Sequence, residues 1–187
     1  LAHNQANHDL AIQLMNEGMN ILAPYEEYKG DRLRVIANLI QYHAMRGENK
    51  KAEKFIQPGN KIFKELKSTG HNCFFIYTWA MILNDQGKFQ QALDVLNKTN
   101  SYPMLSIEHP PVYHGILQQK IEAFIKLEKF NEARKHLREF EQKINEFYSK
   151  KSITLAYMLT LKSMVLLRHP RERPQAFQAI KEALEIY

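Results

Sequence analysis

One cysteine in 187 residues leaves no partner for an intramolecular disulfide, so burial and hydrogen bonding alone must hold the fold. That residue, Cys73, stands beside Phe74 and Phe75 and reads as a small buried apolar side chain. Glycine and proline number seven each, too few for a low-complexity chain, and they fall between apolar segments, where breaks belong. The longest apolar runs, residues 73–77 and 163–167, are far short of the ~20 residues that span a bilayer as a helix. The chain lacks a glycine-rich phosphate loop, a paired CxxC, an HExxH and a GxSxG. The expectation is therefore a non-enzyme with no cofactor and no metal. No leader-like stretch is present, the first residue is Leu1, and the last segment stops in mid-pattern at Ile186 and Tyr187. A piece of a longer, cytoplasmic protein is expected.

The residues that are present carry a period. Ala52, Ala92, Ala133 and Ala176 follow one another at steps of 40, 41 and 43. Each opens an amphipathic segment that comes after an apolar segment and a short polar break, as in GKFQQALDVL and EKFNEARKHL. A fixed period of this size marks a helical array in which each unit buries its apolar face against its neighbours. The predicted fold is all-α, a right-handed superhelical solenoid of antiparallel helix pairs over residues 1–187. Its units are a leading half at 7–23, then 31–69, 72–98, 111–148 and 152–187.

Helical spacing of apolar residues predicts helices over 9–22 and 33–45, the latter capped by Asp31 and stopped by Gly47. The next segment starts near Asn49 and meets Pro58 and Gly59, which predicts a kinked or split helix. Gly70 is read as closing that unit. Helices follow over 74–83, 89–96, 113–127, 130–147, 153–167 and 174–186, with Pro174 in the first turn of the last. Residues 99–111, with prolines at 103, 110 and 111, are the least helical and predict a surface loop.

Gly87 to Leu93 and Glu128 to Ala133 resemble the turn and second-helix opening of tetratricopeptide repeats: a glycine or polar turn, an aromatic, two polar residues, then a packed alanine. Gly47 to Ala52 is a looser copy with Asn49 in the aromatic's place, and Ala176, Ile180 and Ala183 keep the spacing. The units are longer than the family's consensus, and Ile40, Ile121 and Met164 stand where a small residue belongs in the first helices; only Ala80 fits. Longer units of this kind are similar to those of bacterial regulators: peptide-pheromone receptors, maltose-type activators and repeat-bearing sensor kinases. The resemblance implies binding of a protein or peptide segment on a concave face lined by the first helices. Carried over, the lining falls at Arg34, Asn38 and Gln41, at Tyr77, Thr78, Met81 and Asn84, and at Gln118, Gln119, Glu122 and Lys126. In the last unit it falls at Leu161, Lys162, Val165 and Arg168. Asparagine and glutamine there would hold an extended backbone through its amides. The family's chaperone-binding carboxylate clamp is not expected, because Ala37, Gln41, Tyr77 and Met81 occupy its positions.

Other chemistry is thinner. Glu108, His109 and His114 cluster in sequence, and Glu132 and His136 stand four apart, but neither supplies four converging ligands. His71 and Cys73 alternate, so on one helix they do not face each other. Asn97-Lys98-Thr99 matches a glycosylation triplet without further support. Basic residues number 26 against 20 acidic. They include Lys61, Lys64 and Lys67, Arg134, Lys135 and Arg138, and Arg168, His169, Arg171 and Arg173. Without interleaved aromatics these read as solvated outer faces, not a nucleic-acid surface. Most aromatics read as core, with Tyr102, Tyr113 and Tyr148 as exceptions near loops or helix ends. Two alternatives stay open: a small-molecule sensor with its pocket beside 99–111, as in an activator or sensor kinase, and an architectural scaffold.

Overall fold

A computed structural model describes residues 2–66, 70–102, 105–147 and 152–187. Among these the chain is all-helical, without strand. The helices are α1 (Ala2–Leu22), α2 (Lys29–Met45), α3 (Asn49–Glu53), α4 (Ile56–Glu65), α5 (Gly70–Asp85), α6 (Phe89–Leu96), α7 (Leu105–Glu108), α8 (Pro110–Lys126), α9 (Phe130–Phe147), α10 (Ile153–Leu166) and α11 (Arg173–Leu184). None of the described helices is long and apolar enough to cross a membrane.

The helices pack mainly on near neighbours in the chain. α2 lies against α5, α5 against α8 and α8 against α10, while α6 packs on α5 and α8, α9 on α8 and α10, and α11 on α10. This gives a helical repeat-like arrangement. The four periodic alanines are all buried, at 1 % exposure or less, because a methyl group is what lets one helix lie close against another. Two clusters of buried apolar residues form the core. One surrounds Leu33, Ile36, Phe75, Ile82 and Leu96, and the other Ile121, Leu137, Phe140, Val165 and Ala183; Tyr113 packs against both.

The turns repeat as faithfully as the alanines. Gly47 and Gly87 take φ values of 71° and 73°, and Glu128 takes 58°. In each turn the next residue's N–H reaches back to a carbonyl five residues earlier: Glu48 to His43 at 2.9 Å, Lys88 to Leu83 at 2.8 Å, and Lys129 to Phe124 at 2.9 Å. These are left-handed helix stops in which the extra bond satisfies a carbonyl that the helix leaves exposed.

Several boundaries differ from the sequence reading. The split near Pro58 falls earlier, at Lys54 and Phe55, and Pro58 sits in the first turn of α4, where its missing N–H costs nothing. Gly59 is buried between α2 and α5, and a Cβ there would meet Phe75 Cζ at 2.8 Å. Gly70 opens α5 instead of closing the unit before it. Asp31 is not the cap of α2 but lies in its first turn, where its carboxylate takes Arg34 at 2.8 Å. The described residues of 99–111 are also more helical than expected. A 3-10 turn spans Asn97–Ser101, α7 follows, and Pro110 and Pro111 begin α8. The prolines start a helix because their fixed φ suits its first positions. Lys67, Pro103 and Tyr148 lie outside the described residues.

Candidate partner-binding face

The first helices α2, α5, α8 and α10 lie side by side, so the side chains expected to form a lining can be placed one by one. On α2, Arg34 is exposed and paired with Asp31 on its own helix. Asn38 and Gln41 are half-buried; among the described residues neither makes a hydrogen bond within the chain. Both amides keep donors and acceptors for something else.

On α5 the expected lining is largely spent inside the fold. Thr78 is fully buried and its hydroxyl donates to the Phe75 carbonyl at 3.0 Å. Asn84 is buried as well. Its Nδ2 donates to the Gln119 carbonyl at 3.0 Å and to Gln119 Oε1 at 2.8 Å, and Gln119 is only 5 % exposed. The two amides clamp α5 to α8, so Thr78, Asn84 and Gln119 are structural residues and do not reach a partner. Tyr77 is half-buried over Gly115, whose missing Cβ would stand 2.7 Å from the ring; burial pushes its phenol up. Met81 is half-buried.

On α8, Gln118 and Glu122 are half-buried and Lys126 is exposed. Tyr157 of α10 joins them: its hydroxyl donates to Glu122 Oε2 at 3.3 Å. Burial pushes the Glu122 carboxyl above its ordinary value, with Asp85 adding to the rise and Tyr157 and Lys126 opposing it. Sequence reasoning missed Tyr157, because an aromatic at helical spacing looks like core. Its only signal is a hydroxyl on a helix neighbouring a row of amides.

The last unit departs most from expectation. Leu161 and Val165 are core residues at 2 % and 0 % exposure. Lys162 is paired with Glu141 of α9 at 2.7 Å and lines a depression with Pro174 and Gln178 of α11. Arg168, past the end of α10, lies 4.9 Å over the Phe130 ring of α9. Both cations are engaged with α9, Lys162 through an acidic partner and Arg168 through an aromatic one.

The remaining candidates resolve into packing. Cys73 is buried, and burial pushes its thiol up to about 11, so it is no nucleophile near neutral pH. The His71 side chain lies outside the described residues. His114 is buried against Phe140. His136 stacks on Phe124 and faces Glu139 at 3.5 Å, not Glu132. Glu108 takes the Tyr102 hydroxyl. Among the described residues no three His, Cys, Asp or Glu side chains converge as metal ligands would. In the basic strips, Arg134 is held by both oxygens of Glu172 at 2.7 and 2.6 Å, whereas Lys61, Lys64, Lys135 and Arg138 are exposed.

No family model matches the chain, and no curated protein does. Among solved structures, the chain is similar to the crystal structure of BtubC (BKLC) from P. vanneervenii, at a TM-score of 0.70 and 15% identity, over 97% of this chain and 71% of that one. At that identity the likeness concerns the fold alone: all-α and helical repeat-like.

Proposed function

We propose that this chain is a non-catalytic interaction module that holds an extended protein or peptide segment across its first helices, within a larger bacterial regulator in the cytoplasm. The finer architecture belongs to the same reading: tetratricopeptide-like antiparallel pairs winding as a right-handed solenoid. The neighbour-to-neighbour packing, the buried alanines and the recurring left-handed turns support it. The observation that carries the function is the row of half-buried amides on α2 and α8. Asn38 and Gln41 make no bond within the chain among the described residues, and Gln118 stands beside Glu122 and Tyr157. Such side chains can pair with a peptide backbone whatever its sequence.

The test is selection from a library of extended peptides, followed by affinity measurement by fluorescence anisotropy. Each lost hydrogen bond is worth about 0.5–1.5 kcal/mol, so Asn38→Ala with Gln118→Ala should weaken binding about tenfold. Lys61→Ala with Arg138→Ala, on second helices, should change it less than about twofold. Equal losses from both pairs, or no loss from the first, would put the binding surface elsewhere.

A further inference from the structure

The segment joining α6 to α8 is built as a roof. Among its described residues, α7 packs on α8 with Leu105 buried at 3 % exposure, and the turn before it reaches α8 through Asn100, while the Thr99 hydroxyl holds that turn to the Leu96 carbonyl at 2.7 Å. Between this roof and α8 and α9 lies a cavity of about 220 Å³. Leu105, Ile116 and Leu117 give it an apolar wall; Lys120, Asn100 and Glu139 are among its polar lining.

Lys120 is the odd member. It is 7 % exposed, and an ammonium brings three donors that all need acceptors once water is removed. Among the described residues its single hydrogen-bond partner is Asn100 Oδ1, a neutral amide, at a long 3.3 Å. No described carboxylate stands within ion-pair distance of it. More exposed lysines are served better: Lys29 meets Glu65 at 2.7 Å, Lys51 meets Glu48 at 3.0 Å and Lys162 meets Glu141 at 2.7 Å. Glu139 does act on Lys120 from a distance, but one of its oxygens takes the Tyr113 hydroxyl and the other faces His136 at 3.5 Å. Its field reaches the ammonium, whereas its oxygens do not.

We propose that this cavity binds a compact monocarboxylate with a short apolar body. Its carboxylate would accept from the Lys120 ammonium, and its body would lie along Leu105, Ile116 and Leu117. Size and charge both narrow the class. The volume is below the ~300–1,000 Å³ of pockets for drug-sized ligands, so the occupant is compact. One cation balances one negative charge, and the Glu139 carboxylate in the same wall repels a dianion such as phosphate. Burial already holds the Lys120 amine below its ordinary value; a bound anion beside it would reverse that shift. The site is separate from the amide row on α2 and α8, and its test does not depend on that face.

Benzoate is a suitable probe, with benzamide as its uncharged counterpart of the same shape and inorganic phosphate as the dianion. In protein carrying 13C-labelled lysine, benzoate should move the Lys120 side-chain resonance and raise its titration midpoint by about one unit or more. Benzamide should move neither, and phosphate should bind at least about tenfold more weakly than benzoate. Benzoate should also raise the melting temperature of the unmodified protein and of Lys135→Met, but not of Lys120→Met. A Lys120 resonance unmoved by benzoate would overturn the proposal, as would benzamide or phosphate binding as tightly as benzoate. Should Lys120→Met fail to fold, the resonance titration on the unmodified protein decides alone.

Discussion

Glu122 shows how far a single side chain can depart from its sequence reading. As one of a polar lining it would be a solvated carboxylate; in the fold it is half-buried under Tyr157, with Asp85 and Lys126 as the nearby charges. Burial raises its value, so the folded state holds the Glu122 proton more tightly than the unfolded chain does. Such a group favours folding at low pH and becomes a penalty as pH rises through its folded value. Glu122→Gln should therefore raise the melting temperature at pH 7, while near pH 4, where the carboxyl is largely protonated in the folded state, the gain should shrink or vanish. The glutamine carbonyl can still accept from Tyr157. Thermal unfolding at both pH values checks this, and an equal gain at both would remove burial as the cause.

Helix and turn together form the repeating element, and the turn is where the copies differ in cost. Gly47 and Gly87 adopt positive φ without a steric penalty, but Glu128 adopts the same conformation with a Cβ, which costs about 1–2 kcal/mol. Replacing it by glycine removes that strain and adds about 0.4–1 kcal/mol of unfolded-chain entropy. Glu128→Gly should stabilise by about 0.5–1 kcal/mol, measured by urea unfolding. A loss of stability would mean that the side chain contributes more than its strain. The glycines announced two of these turns in the sequence. The third was legible by the pattern Glu128 to Ala133 and by its place 41 residues after Gly87, because glutamate has no turn preference of its own. Segment 99–111 misled for the opposite reason. Its prolines suggested a loop, but Pro110 and Pro111 occupy the positions where proline begins a helix.

Across the whole molecule, the two apolar clusters meet where Tyr113 of α8 packs against both, and α5 is clamped to α8 by Asn84 and Gln119. α1 is the opposite case. It lies against α2, and Leu10, Leu14 and Ile21 are 54 %, 56 % and 67 % exposed. In an array stabilised between neighbours, protection from exchange should follow burial. Native-state hydrogen exchange read by mass spectrometry should find α5 and α8 slowest and α1 fastest. Uniform protection along the chain would instead indicate one cooperative unit.

Periodicity determined by itself what depends on local pattern. The helices and the buried alanines follow from residues at fixed spacing, since helix pitch converts spacing into a face, and the turns follow from two glycines and the repeat of their position at Glu128. The tertiary structure decided which polar side chains are spent. Thr78, Asn84 and Gln119 carry the same chemistry as Asn38 and Gln41, and no local rule separates them; only the packing of α5 on α8 buries the first three and leaves the others half-open. The same holds for Lys120, one lysine among many in the sequence, which became singular when the roof over α8 removed it from water without bringing a carboxylate to it.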